Sequence, residues 1–182
     1  MKLLIISDIH GSSCYANKIL EINEREKPDK IVLLGDLYYH GPRNPLTEEY
    51  NPMEVAKVLN SLKDKILAVK GNCDADVDQM ISEFPLQETI ELEVNGHNIF
   101  FSHGDKYNID NLPPLGVNID IMFYGHFHIN FIEEKNGIIF VNPGSISLPK
   151  QNTEHGYAIL DENEIILKDV EGNVIEKRML KE

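Results

Sequence analysis

The stretch Lys2-Leu3-Leu4-Ile5-Ile6-Ser7-Asp8-Ile9-His10, taken with Ile31-Val32-Leu33-Leu34-Gly35-Asp36, decides the fold class. Leu3 to Ile6 is a run of four apolar residues closed by Ser7 and Asp8. A signal peptide needs an apolar region of about 7–15 residues, so this run reads as a first strand. Ser12–Lys27 follows as a helix, with Tyr15, Ala16, Ile19, Leu20 and Ile22 as its buried stripe and Ser12 or Ser13 as N-cap. Pro28-Asp29 ends it, and Ile31–Leu34 is the next strand. The chain therefore opens as a βαβ unit.

Outward from that unit, Gly41, Pro42 and Pro45 exclude regular structure from a long loop, 37–51. Pro52 suits the first turn of a helix over Pro52–Leu62. Ile66–Val69 reads as a third strand and Ala75–Ser82 as a short helix. After Pro85 the texture becomes that of antiparallel strands. Asn95-Gly96 and Asn136-Gly137 are strong hairpin signals. The first joins a segment carrying Thr89, Ile90, Leu92 and Val94 to Ile99–Ser102, and the second joins Asn130–Glu134 to Ile138–Val141. Ile119–Tyr124 is a further strand, and Tyr157–Leu160, Ile165–Asp169 and Val174–Arg178 form a terminal meander. Parallel units first and antiparallel strands afterwards imply an α/β fold of two sheets packed face to face with helices outside. A length of 182 residues fits one domain over 1–182.

The formal net charge of −13, from 30 acidic and 17 basic residues, repels long polyanions, and no Lys/Arg cluster offsets it. Processive work on nucleic acid is thereby disfavoured; a small anionic substrate is not. No segment reads as a membrane span. Two cysteines, Cys14 and Cys73, read as free thiols of a reducing, cytoplasmic compartment.

The chemistry lies in Asp8-Ile9-His10, Gly35-Asp36, Gly71-Asn72, Ser102-His103-Gly104 and Gly125-His126-Phe127-His128. Most follow an apolar run, and side chains at strand C-terminal ends converge on one crevice in an open α/β sheet. Asp8 and His10 are two apart, as are His126 and His128; continued strand geometry would project each pair to one side. Asp36 has the short carboxylate needed to bridge two cations, and Asn72 offers a neutral carbonyl oxygen. Oxygen and imidazole donors without a thiolate point to a two-metal hydrolytic centre, with manganese, iron, cobalt, nickel or zinc all admitted by the donor set. Two carboxylates against two divalent cations leave the net positive charge a phosphate ester requires. Any one of these histidines alone, like His97 and His155, reads as an ordinary surface or core residue; the ordered set does not.

Together with His40-Gly41-Pro42-Arg43-Asn44, Gly71-Asn72-Cys73-Asp74, Val77-Asp78-Gln79-Met80 and Asn142-Pro143-Gly144-Ser145, these motifs resemble the calcineurin-like metallophosphoesterases over essentially the full length. Among them they resemble the small bacterial phosphodiesterases of the YfcE type. The resemblance implies a four-layer αββα sandwich of two mixed sheets, and two divalent ions, manganese first among them. It implies one ion on Asp8, His10 and His128 and the other on Asn72, His103 and His126. Asp36 and a water or hydroxide are shared between the two ions, and that hydroxide attacks phosphorus opposite the leaving oxygen. Asp36, Asn72 and His103 are then the catalytic set. Cys73 stands where many members carry a histidine that protonates the leaving group, and a thiol is a poor acid for that task. This points to small diesters whose leaving groups need little protonation. Arg43 is a candidate phosphate contact and Cys73 a candidate pocket residue; Asn142–Ser145 reads as a tight turn near the site.

Three other functions compete with the phosphodiesterase reading: a phosphomonoesterase on nucleotides or sugar phosphates, a non-catalytic scaffold of the same fold, as the retromer subunit is, and a nuclease. Filled ligand positions weigh against the scaffold and the acidic balance against the nuclease. Assembly as a dimer or tetramer is left open.

Overall fold

The structure is a computed structural model that describes residues 1–114 and 117–180. Its elements in chain order are β1 (Leu3–Ile6), α1 (Ser13–Glu26), β2 (Lys30–Leu33), α2 (Pro52–Ser61), β3 (Ile66–Val69), β4 (Leu86–Gln87), β5 (Ile90–Val94), β6 (His97–Ser102), β7 (Ile121–Tyr124), β8 (Asn130–Lys135), β9 (Ile138–Pro143), β10 (Gly156–Asp161), β11 (Glu164–Asp169) and β12 (Val174–Met179). The larger sheet runs β12-β11-β10-β1-β2-β3-β4 and the smaller β5-β6-β7-β9-β8.

Strand alternation builds the layers. Leu3 and Ile5 face the smaller sheet with Val32, Ile99, Phe101, Phe123 and Val141 to form the core between the sheets. Leu4 and Ile6 turn the other way, with Ile31 and Leu33, and bury the apolar stripes of α1 (Ala16, Ile19, Ile22) and α2 (Val55, Val58, Leu59). The outer face of the smaller sheet, Phe100, Met122, Tyr124 and Phe140, is covered by Tyr107, Ile109, Val117 and Ile119. Its covering segment contains no helix among the described residues; Gly104, Pro113 and Pro114 break it up. The mixed α/β sandwich is as expected.

Helix α1 starts where Ser12 Oγ accepts the Tyr15 N–H at 3.3 Å, and it stops at Lys27, whose φ of 49° is left-handed, just before Pro28. In α2, Asn51 Oδ1 caps the Glu54 N–H at 3.2 Å and Pro52 takes the first turn. The short helix expected over 75–82 is only a 3₁₀ turn, Asp76–Met80. Its start is held by Asp78 accepting the Ala75 N–H at 2.8 Å, and five residues are too few for an α-helix to propagate. Strand β4 was not expected; it is two residues long and exists only because Leu86 pairs beside Ala68 of β3.

What positions the site is the direction of the strands. β1, β2 and β3 run parallel, and so do β6, β7 and β9. Each of the first five delivers a candidate ligand just past its C-terminal end: Asp8, Asp36, Asn72, His103 and His126. Asn142–Ser145 follows from β9. The two sheets thus empty onto the same end of the sandwich.

Candidate metal centre

Strand geometry does not persist through the candidate ligands. Strand β1 ends at Ile6, and Asp8 and His10 have φ of 58° and 49°. Asp36, His126 and His128 are also left-handed, at 55°, 63° and 60°. Expecting each Asp-x-His or His-x-His pair to project from a continued strand is therefore wrong; tight left-handed turns aim these side chains instead. Such a backbone costs a non-glycine residue about 1–2 kcal/mol relative to the right-handed one, and persists only where surrounding contacts over-determine it.

Those contacts are visible around Asp8. Its backbone carbonyl accepts Ser145 Oγ–H at 2.7 Å and Ser147 Oγ–H at 2.9 Å, so the turn after β9 clamps the turn after β1. Asp8 Oδ2 accepts Ser7 Oγ–H at 2.6 Å and the His126 N–H at 3.0 Å. Its other oxygen, Oδ1, is buried and has no hydrogen-bond partner among the described residues. That oxygen lies 3.2 Å from His128 Nε2 and 3.6 Å from His10 Nε2.

The histidines are oriented by backbone carbonyls. His10 Nδ1–H donates to Tyr39 O at 2.8 Å, His128 Nδ1–H to Leu148 O at 2.7 Å and His103 Nδ1–H to Leu34 O at 2.7 Å. A carbonyl can only accept, so each ring keeps its proton on Nδ1 and turns the Nε2 lone pair into the site. His10 Nε2 and His128 Nε2 stand 3.2 Å apart, as do His103 Nε2 and His126 Nδ1. Asn72 Oδ1 is 2.9 Å from His103 Nε2. Asp36 Oδ2 lies between the groups, 3.7 Å from His10 Nε2 and 3.4 Å from His103 Nε2.

Lone pairs of carboxylate, imidazole and amide thus face one another at close range, a repulsive arrangement unless a positive charge lies among them. Protons can supply it: burial lowers the affinity of His103 for a second proton, but the Asp36 carboxylate outweighs this and pushes the ring up to about 10. Burial likewise raises Asp8, yet His10 and His128 hold it well below the usual carboxylate range. Divalent cations fit better, because this donor set is the one they take and each donor is already aimed. Asp8, His10 and His128 lie within 4.8 Å of one another, and so do Asp36, His103 and His126. The structure brings together every residue singled out from the sequence for metal.

Donor atoms of a third group, His10, Asp36 and Cys73, also lie within 4.8 Å of one another. Burial and the Asp36 carboxylate push the Cys73 thiol up to about 12, so it stays protonated. Its contribution is through the backbone: the Cys73 N–H donates to Asp36 Oδ1 at 2.8 Å. Asp74 does more. Its carboxylate accepts the N–H groups of Asp36, Leu37 and Gly71, each at 2.8 Å, tying the loop after β2 to the loop after β3. Burial and the Asp36 charge raise Asp74 to about 6 despite these donors. Gly71 makes the approach possible, since a Cβ there would fall 2.1 Å from Asp36 Oδ1.

Arg43 and Cys73, the two candidate substrate contacts, both line a cavity of about 610 Å³ that opens onto His10, Asp36, Asn72, His126 and His128. Lys150 lines it too and was not singled out from the sequence. His97 and His155 lie elsewhere: His97 begins β6, and His155 donates to Ile146 O at 2.9 Å and stacks on Tyr15.

The model of the calcineurin-like phosphoesterase superfamily domain matches residues 1–164. The chain belongs to that superfamily. It is 41% identical over 162 residues, 88% of each chain, to phosphodiesterase YfcE of Escherichia coli (strain K12). It is 30% identical over 188 residues to the probable metallophosphoesterase YsnB of Bacillus subtilis (strain 168), covering 97% and 95% of the two chains. The solved structure of the E. coli phosphoesterase Yfce superposes over the whole of both chains with a TM-score of 0.94 at 36% identity. Vps29 of Cryptosporidium parvum shares the fold alone, with a TM-score of 0.65 at 19% identity. The chain is accordingly a metallophosphoesterase-family hydrolase of phosphoesters, with a cluster of residues able to hold divalent metal. No helix of the described residues is long and apolar enough to cross a membrane.

Proposed function

We propose that this chain is a phosphodiesterase that hydrolyses small diesters with two divalent ions, manganese first among the candidates. The observation that carries the reading is Asp36 Oδ2 standing between two separate sets of inward-facing donors. In this reading Asp8, His10 and His128 hold one ion, and Asn72, His103 and His126 hold the other. Asp36 serves both. When bound, such a pair supplies Lewis acidity to the phosphoryl oxygens and acidifies a coordinated water.

The chain's own groups do the rest. Backbone carbonyls at Leu34, Tyr39 and Leu148 keep three imidazoles in one tautomer. Asp74 and the Cys73 N–H fix where Asp36 sits, which is worth a large factor because misplacement by about 1 Å costs roughly 100-fold in rate. Cys73 holds its proton too firmly to release it to a leaving oxygen near neutral pH. Diesters with stable leaving groups, aryl esters above all, are therefore the favoured substrates, ahead of monoesters of nucleotides or sugars. The acidic chain and the confined cavity favour small molecules over long nucleic acid.

Metal analysis of the purified protein, combined with turnover on paired aryl diesters and monoesters, tests the reading. Two ions per chain and faster diester cleavage are expected. One ion per chain, or faster monoester cleavage under the same metal, would overturn it.

A further inference from the structure

The sign of charge reverses at the mouth of the cavity. Over the whole chain acidic residues outnumber basic ones by 30 to 17. Around the cavity, among the described residues, Asp36 is the only acidic lining residue, while Arg43 and Lys150 are both basic. Elsewhere all but one of the described lysines and arginines have partners. Lys2, Lys18, Arg25, Lys57, Lys63, Lys70, Lys106, Lys135, Lys168, Lys177 and Arg178 are ion-paired. Lys30 and Lys65 donate to carbonyl oxygens. Among the described residues only Lys27, Arg43 and Lys150 have side chains with neither kind of partner, and two of those three share this one cavity.

Both cations are attached to the site by their backbones. Arg43 sits in the turn Gly41–Asn44, closed by Asn44 N–H to Gly41 O at 3.3 Å and by Asn44 Nδ2 to His40 O at 2.8 Å. That turn packs on Cys73: a Cβ on Gly41 would stand 3.2 Å from its sulfur. The Lys150 N–H donates to His128 O at 2.9 Å, and the Lys150 carbonyl accepts Thr153 Oγ1–H at 2.8 Å. The anchor points are ordered, while the charged heads are exposed and without partners in an otherwise acidic molecule. A guanidinium offers a phosphoryl group two parallel N–H donors, and an ammonium adds a compact point charge.

We propose that Arg43 and Lys150 form a second anion subsite, and that the substrate is a diester whose retained arm carries a further phosphoryl group. This rests on the phosphodiesterase reading of the metal centre and narrows its substrate class. The scissile phosphate of a plain diester carries a single charge, which the metal centre meets; a plain aryl arm leaves both rim cations without a partner. A cavity of about 610 Å³ has room for both phosphoryl groups, within the roughly 300–1,000 Å³ of ordinary ligand sites.

The test uses a matched pair of substrates with one leaving group: p-nitrophenyl phenyl phosphate, and the same ester with a phosphate monoester on the phenyl ring. Manganese-loaded wild type should prefer the ring-phosphorylated ester in kcat/KM. Arg43→Met and Lys150→Met should each lower that preference about 10- to 100-fold, the range of one lost charge-assisted hydrogen bond, while Lys150→Arg keeps most of it. A preference unchanged in both methionine variants overturns the subsite, whether or not absolute rates fall. Calorimetric titration of the manganese-loaded proteins with phenyl methylphosphonate and its ring-phosphorylated analogue gives a second readout that needs no turnover. Tighter binding of the phosphorylated ligand, lost in the methionine variants, supports the subsite; equal affinities overturn it. Wild type that cleaves neither ester refutes the phosphodiesterase reading, and the titration then decides the subsite by itself.

Discussion

Replacing Gly125 by alanine tests how closely the two sheets must approach for the centre to form. Gly125 has no left-handed backbone, so an alanine is conformationally acceptable and space alone is at issue. An added Cβ would stand 1.8 Å from Ser7 Oγ and 2.7 Å from Asp8 Oδ2, where real Cβ contacts stop at 3.0 Å. Either the Ser7 hydroxyl must rotate off its bond to Asp8 Oδ2, or the turn after β7 must move off the turn after β1 by up to about 1.2 Å. That movement stretches the His126 N–H to Asp8 Oδ2 bond, now 3.0 Å, and carries His126 away from His103. Overpacking of this kind costs about 1–3 kcal/mol, and a displacement near 1 Å costs about 100-fold in rate. Nitrophenolate release from an aryl diester, thermal melting and metal content measure the three consequences. A double variant with Ser7→Gly removes the 1.8 Å clash and should recover about tenfold in rate relative to Gly125→Ala alone, a coupling of the size found between touching residues. Gly125→Ala with turnover within threefold of wild type and unchanged metal content would refute the claim that this approach sets the geometry.

Asp36→Asn should leave the circular dichroism spectrum and fold intact while turnover falls by well over the roughly 100-fold that loss of an outer-shell partner costs; activity within tenfold of wild type, or undiminished metal content, contradicts the bridging role proposed for it. Cys73→Ala should lower turnover of an activated aryl diester by less than a hundredfold, because a thiol raised to about 12 holds its proton too firmly to act as an acid at neutral pH; a larger loss makes it a catalytic acid. Glu26, buried at the end of α1, accepts Tyr157 Oη–H and Lys168 Nζ–H, each at 2.8 Å, so Glu26→Ala should cost about 3 kcal/mol, or about 6–12 °C in Tm for a chain of this size. Burial raises the Glu26 pKa, but the partners outweigh burial and hold it below 4.5. Its contribution is therefore present above pH 4.5 and lost as pH falls through the lower folded value. The gap in Tm between wild type and Glu26→Ala should narrow in that acid window, and a gap that stays constant there would be the contrary result.

Local signals carried far in this chain. The run Ile66–Val69 is a strand to the residue, and Asn95-Gly96 and Asn136-Gly137 turn their hairpins with positive φ at both positions. Pairing order was not legible: nothing local says that β10 docks antiparallel against β1 or that β9 inserts between β7 and β8. Those neighbours are chosen by the shared core of Leu3, Ile5, Ala158 and Leu160, which assembles only when both sheets are present. Lys150 was not legible either. A single lysine after a proline carries no signal until the His128 carbonyl anchors it beside the cavity.

The candidate ligands were legible for a reason that differs from the geometry first expected. A strand would deliver Asp8 and His10 to one side with rigid 2-residue spacing, but straight strands cannot bring five chain segments to one point. Ending the strands short of the ligands and turning left-handed at Asp8, His10, Asp36, His126 and His128 does so, since each such turn bends the chain across the open end of its sheet. Aspartate and histidine are among the non-glycine residues that tolerate that backbone, so at these five positions the candidate ligand and the turn-forming residue are the same residue; Asn72 and His103 reach the site without a left-handed backbone. The turns are then held by contacts that are themselves polar: Ser145 and Ser147 on the Asp8 carbonyl, Thr47 Oγ1–H on the His10 carbonyl at 3.0 Å, and Asp74 on the Asp36 N–H. The cost of the left-handed turns is met by these clamps, while the repulsion between facing lone pairs is relieved by a proton or a divalent cation placed among them. The motifs stand out in the sequence because at Asp8, His10 and Asp36 one residue must suit the turn, the clamp and the candidate ligand set together.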